Sequence, residues 1–133
     1  MLHSSAEIRV RYEETDQMGV VYHANYFSWF EVARVELLDA IGYPYAKLEK
    51  DGFMLPVISC EAKFIMPARF DDRLSVQIEI KDMPVASINA YYRVFNSDLL
   101  LATGMTKHAF VATSGKVVRP PKSFLEKTAK FFS

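Results

Sequence analysis

Asn25-Tyr26-Phe27-Ser28-Trp29-Phe30-Glu31-Val32-Ala33-Arg34-Val35-Glu36-Leu37-Leu38-Asp39-Ala40-Ile41-Gly42 is the stretch that decides the fold. Tyr26, Phe30, Ala33, Leu37 and Ile41 recur every three or four residues, the spacing of one helical face. Asn25 is suited to cap the start, because its side-chain oxygen can accept a backbone N–H left open there. Gly42 suits the position just past the end, where the backbone turns left-handed. Phe27, Trp29, Val32 and Val35 make the helix apolar off that face as well. A surface helix has a polar back, so this one is expected to be enclosed on several sides.

Outward from the helix the pattern becomes β. Before it, residues 7–12 alternate polar and apolar as a half-buried strand does. After it, Pro44 and Gly52 bracket a short helix over residues 45–50. Residues 53–66 read as one long strand, with Pro56 marking an edge or bulge near its start. Residues 74–81 and 87–95 alternate cleanly, Asn96-Ser97-Asp98 is a turn signal, and residues 99–112 form a further long strand. Pro120-Pro121 precedes a terminal helix over residues 123–132. One long helix followed by strands joined through short turns implies an α+β chain with an antiparallel sheet curved around the helix.

Composition narrows the function. The chain has 133 residues, a length expected of one domain, and is 50% hydrophobic and 14% aromatic. Sixteen Lys and Arg balance sixteen Asp and Glu, which argues against a globally basic nucleic-acid binder. Aromatic richness without net charge favours self-association. Cys60 is the only cysteine, so no internal disulfide or cysteine metal cluster is expected, and Cys60 itself reads as a small buried hydrophobe. Three scattered histidines make no metal site; His3 is expected outside regular structure and His108 in a strand. No apolar run reaches a membrane span, and residues 1–6 lack a signal-peptide core, so a cytoplasmic location is expected.

The chemistry is expected in residues 12–26, which lead from the first strand to the long helix. A helix N-terminus offers unpartnered N–H groups and partial positive charge, suited to a developing oxyanion. Asp16 lies upstream across a loop containing Gly19, a carboxylate placed to act as base or nucleophile beside such donors.

The pattern Tyr12-x-x-Thr15-Asp16-x-x-Gly19-Val20-Val21-Tyr22-His23-x-Asn25-Tyr26, followed by Phe30-Glu31-x-x-Arg34, resembles that of hotdog-fold acyl-CoA thioesterases. The similarity is to the 4-hydroxybenzoyl-CoA and Tol-Pal-associated branches. Phe64-x-x-Pro67-Ala68-x-Phe70-Asp71-Asp72-x-Leu74-x-Val76 resembles the same family's junction between its second and third strands. The resemblance implies a five-stranded antiparallel sheet wrapped around the central helix. It also implies edge-to-edge dimers, often paired into homotetramers, with active sites between subunits. Asp16 would be the catalytic carboxylate, acting as general base or as nucleophile. The His23 backbone N–H would hold the thioester oxygen, with Tyr22, Gly19 and Asn25 shaping the site. Glu31 would reach the acyl group or pair with Arg34, and Val57, Ile58 and Ser59 would face the acyl pocket. The substrate would be a short-chain acyl or aryl CoA thioester, with no separate cofactor. Scattered Lys and Arg residues, Lys63 and Arg93 among them, are candidates for the CoA phosphates. Two other readings are a hotdog hydroxyacyl-thioester dehydratase and a non-catalytic acyl-CoA-binding protein of the cell envelope.

Overall fold

In the computed structural model, which describes residues 1–132, Leu2–Arg9 forms β1 and Asn25–Ala40 forms α1. Then come α2 (Tyr45–Lys50), β2 (Phe53–Met54), β3 (Val57–Phe64), β4 (Arg73–Ile80), β5 (Ser87–Asn96), β6 (Leu99–Ala112), β7 (Val117–Val118) and α3 (Lys122–Ala129). All strand pairs are antiparallel. The main sheet runs β1-β4-β5-β6-β3, the five strands expected, with β3 and β1 at its two edges. The two-residue strands β2 and β7 add to the far end of β6, so the whole sheet has seven.

The inner face of the sheet is apolar for the reason the alternation gives. Leu74, Val76, Ile78 and Ile80 on β4 and Ile88, Ala90, Tyr92 and Val94 on β5 are all buried. Against them α1 buries Tyr26, Trp29, Phe30, Ala33, Leu37 and Leu38. Phe30 stacks on Tyr92 with ring centroids 4.2 Å apart and planes 13° from parallel. Gly104 on β6 allows this approach, since a Cβ there would overlap the Phe30 ring. Gly42 takes a positive φ of 81° just past α1, as expected of a glycine that ends a helix.

Several expectations need correction. β1 begins at Leu2 and includes His3, opposite Glu79. Ser4 and Ala6 occupy its inward face, and such small side chains blur the apolar alternation. Residues 53–66 are two strands, because Leu55-Pro56 interrupts the pairing with β6. Tyr12–Glu14 turns as a 3-10 helix rather than continuing β1. On α1, Val32 is exposed, so the helix is enclosed on most sides but not all. Cys60 is exposed, because β3 has a strand neighbour on one side only and its faces are left largely open.

Candidate active site

Residues 15–21 form a tight loop closed on itself and pinned to the sheet. The Asp16 N–H donates to the Val20 carbonyl at 2.8 Å, and Thr15 and Val21 face each other in a bridge. The Val21 N–H donates to the Ala68 carbonyl at 2.8 Å, and Val20 bridges Arg69. Gly19 takes a φ of 76°, which lets the loop turn back. The Asp16 side chain is exposed. Its Oδ1 accepts the Met18 N–H at 2.8 Å and, more weakly, the Val20 N–H at 3.4 Å. Among the described residues Oδ2 has no partner. One carboxylate oxygen is thus fixed by the backbone while the other faces solvent.

The other limb of the loop enters α1. The N–H groups of Asn25, Tyr26 and Phe27 donate to the carbonyls of Tyr22, His23 and Ala24, at 3.0, 3.2 and 3.3 Å. This tight first turn moves the open donors upstream. Among the described residues, the backbone N–H groups of His23 and Ala24 have no acceptor. The positive end of the helix dipole therefore lies at His23, where an oxyanion gains most from it.

Asn25 is not the cap. Ala24 precedes the helix with helical backbone angles, and no side chain caps it. The Asn25 amide instead donates to the Glu14 carbonyl at 2.9 Å, tying the helix start to the loop start. Glu14 is the residue that sequence reasoning passed over. It is buried, and its carboxylate accepts the Trp29 indole N–H at 2.9 Å and the Arg11 backbone N–H at 2.8 Å. The Tyr22 N–H also donates to its carbonyl at 2.9 Å. The signal that could have found it is the single tryptophan, because a buried indole N–H needs an acceptor.

Around the helix start the Tyr22 and His23 rings touch, with centroids 4.5 Å apart. Phe64, at the end of β3, packs against His23 and Tyr26 at 6.2 and 5.0 Å. The edge strand and the loop thus meet beside Tyr22 and His23. Val57, Ile58 and Ser59 lie exposed on the same strand, with a bulge between Val57 and Ser59. Val57 lines a groove with Phe27, Ser28, Glu31, Arg34, Cys60 and Thr106. Ile58 and Ser59 line neither that groove nor the cavity behind it.

The expected Glu31–Arg34 ion pair does not form. Arg34 turns inward and donates to the Tyr92 hydroxyl at 3.1 Å. From there a polar chain crosses the core. Tyr92 OH lies 2.6 Å from Thr106 Oγ1, Thr106 Oγ1 lies 2.9 Å from His108 Nε2, and His108 Nδ1 lies 3.1 Å from the Leu55 carbonyl. The two ends fix its direction. Arg34 can only donate and a carbonyl can only accept, so with a neutral ring whose Nδ1 holds the proton each hydroxyl donates toward His108. Burial lowers the His108 pKa, the contact with Leu55 opposes that, and the Arg34 charge lowers it further. The neutral ring and the one-way chain require each other. Burial likewise raises the Tyr92 pKa, keeping its hydroxyl a donor. Among the described residues no His, Cys, Asp and Glu cluster could hold a metal ion, and no helix is long and apolar enough to cross a membrane.

Known proteins are similar to this chain in sequence and fold. The family model of the Thioesterase-like superfamily matches residues 10–128. The acyl-CoA thioesterase YbgC of Haemophilus influenzae is 34% identical over 108 residues, covering 80% of this chain and 79% of its own. The acyl-CoA thioester hydrolase YbgC of Escherichia coli O157:H7 is 36% identical over 91 residues, 68% of each chain. The crystal structure of a DHNA-CoA thioesterase from Staphylococcus aureus superposes with a TM-score of 0.93 at 31% identity, covering 98% of this chain and 91% of that one.

Proposed function

Because the chain belongs to the Thioesterase-like superfamily, we propose that it hydrolyses an acyl-CoA thioester to the free acid and CoA, with Asp16 and the start of α1 as its machinery. The observation that carries the reading is one short loop with a free carboxylate oxygen on one limb and two unclaimed N–H groups on the other. The thioester oxygen docks on the N–H groups of His23 and Ala24. Asp16 Oδ2 removes a proton from water as the hydroxyl adds to the carbonyl carbon. The oxyanion formed is held by the same N–H groups and collapses, breaking the C–S bond, and the departing thiolate takes up the proton. Attack by Oδ2 itself, through a mixed anhydride, is the second route. Single turnover in heavy-oxygen water identifies this second route when label appears in Asp16, as it does when water opens the anhydride at the aspartyl carbonyl.

The working unit in this reading is a homodimer, with dimers able to pair further. β3 leaves one edge unpaired, and Val57, Ile58, Phe64, Ile65 and Met66 are between 44% and 57% exposed along and just beyond it. An open edge with an apolar margin is a template for a second strand. Phe64 touches His23, so a second copy on that edge would reach the catalytic loop and help enclose the substrate. Val57, Ile58 and Ser59 would then line the site from the partner's side, Tyr22 and Gly19 from this one. The single cysteine, exposed and unpaired, fits a reducing, cytoplasmic setting.

The test is thiol release from a panel of acyl-CoA substrates, with the acid product identified. Free acid and CoA in equal amounts are expected. An enoyl thioester in place of free acid would mean dehydration, and ligand binding without turnover would mean a non-catalytic carrier.

A further inference from the structure

A cavity of about 310 Å³ lies between α1, α2 and the inner face of the sheet, away from Asp16 and His23. Its walls are chiefly aliphatic, among them Val35, Leu38, Leu55, Ile80 and Ile88. His108 lies in the wall, but both ring nitrogens are already engaged, by Leu55 and Thr106. The interior therefore presents mainly hydrocarbon, with the Tyr45 ring and the Glu31 and Arg34 side chains also in its lining. Glu31, Arg34 and Val57 line both this cavity and the surface groove, so the three mark the passage between them.

The groove follows one face of α1. Phe27, Glu31 and Arg34 succeed one another at helical spacing and lead from the helix start toward Leu38 in the cavity. At about 1.5 Å per residue, Glu31 is roughly 9 Å and Val35 roughly 15 Å along the axis from Asn25. An extended chain advances about 1.2 Å per bond, so roughly eight to twelve bonds separate a carbonyl at the helix start from the cavity.

We infer that the cavity receives the far end of an unbranched aliphatic acyl chain, and that the preferred substrates are medium- to long-chain acyl thioesters rather than short-chain or aryl ones. This rests on the thioesterase reading and names its substrate class. The cavity is more sheltered than the groove, and the residues that line it here come from one protomer. Walls that are chiefly aliphatic suit a flexible chain over a flat ring. A short acyl group or a benzoyl ring held at the helix start would stop in the groove and leave the cavity unfilled. Glu31 and Arg34, of opposite sign at the passage, leave it without net charge for a neutral chain to cross.

The test measures kcat/KM for butanoyl-, octanoyl-, decanoyl-, dodecanoyl- and benzoyl-CoA, with wild type and with Ile88→Phe, whose larger ring narrows the cavity. For wild type, kcat/KM is expected to rise steeply beyond octanoyl, about fourfold for each methylene buried, and dodecanoyl-CoA to exceed benzoyl-CoA. Ile88→Phe is expected to lower the dodecanoyl-to-butanoyl ratio about tenfold or more. Leu55→Phe, at a half-buried position on the same wall, should lower it similarly and serves where Ile88→Phe does not fold. Turnover that is flat with chain length, or a ratio unchanged in the variant that folds, would overturn this inference while leaving the thioesterase reading intact. No thiol release at any length would instead overturn the thioesterase reading.

Discussion

β4 and β3 are both eight-residue strands of one sheet, yet they live in opposite surroundings. β4 pairs on both sides, with β1 and β5, and its Leu74, Val76, Ile78 and Ile80 are buried against the helix layer. β3 pairs only with β6, and all but one of its residues are exposed. An alternating strand is finished within its own chain. A strand with one unpaired edge and exposed apolar side chains is suited to being finished by something else. In this molecule the unfinished strand is the one whose Phe64 touches His23. The packed core lies on the β4 side of the fold, and the proposed chemistry lies on the β3 side.

The widest gap between the two regions should appear on truncating a side chain in the finished strand. Leu74→Ala is expected to cost about 2–5 kcal/mol, because the cavity left in a packed core does not collapse fully. Chemical denaturation should give the same loss at every protein concentration. Ile58→Asp on β3 is expected to behave oppositely. It should leave the monomer's fold intact and weaken its association, so that the effect on Tm depends on protein concentration. A concentration-independent loss for Ile58→Asp as large as that for Leu74→Ala would erase the distinction between the strands.

Trp29→Phe probes the seam where the regions meet. It removes the indole donor from a buried Glu14 carboxylate, which keeps the Arg11 N–H and the Arg11 guanidinium at 3.6 Å. The expected cost is about 1–3 kcal/mol, together with a loss of activity, because Glu14 also holds Tyr22 and Asn25 at the helix start. A stability loss with full kcat/KM would show that the seam does not position the catalytic loop.

The smallest effect is a pH dependence on the finished side. The His108 pKa is lowered in the folded protein, chiefly by burial, from the ordinary value of 6.5. As pH falls through 6.5, the unfolded chain binds a proton that the folded chain does not, so folding stability declines. Protonating the folded ring would also reverse the donors at Thr106 and Tyr92 and leave Tyr92 facing Arg34, which cannot accept. His108→Gln should flatten the dependence of unfolding free energy on pH below 6.5. An unchanged slope would assign the acid sensitivity to other groups.

The same contrast explains what was legible beforehand. β4, β5 and β6 could be read almost to the residue, since period-two alternation is the imprint of one covered face. α1 could be read from its spacing and Gly42. The beginning of β1 could not, because Ser4 and Ala6 on its inner face weaken the alternation. The break at Leu55-Pro56 was visible as a proline but not as the end of a strand. At the site, Asp16 and His23 were legible only as members of a motif. That Asp16 keeps one oxygen free, and that the first turn of α1 leaves His23 and Ala24 open, depends on backbone hydrogen bonds that no residue type encodes. The roles of Glu14 and of the Arg34–Tyr92–Thr106–His108 chain were hidden for a related reason. Their partners lie far apart in sequence and meet only once the sheet has closed on the helix.

In the proposed mechanism the free oxygen of Asp16 performs the chemistry at the start of α1. The direct measurement is kcat for Asp16→Asn in the thiol-release assay, on the best acyl-CoA substrate and with folding verified. The amide keeps an oxygen for the Met18 and Val20 N–H groups while losing the base and the nucleophile. A fall on the order of a hundredfold to ten-thousandfold is expected. Turnover at the wild-type rate would contradict the account.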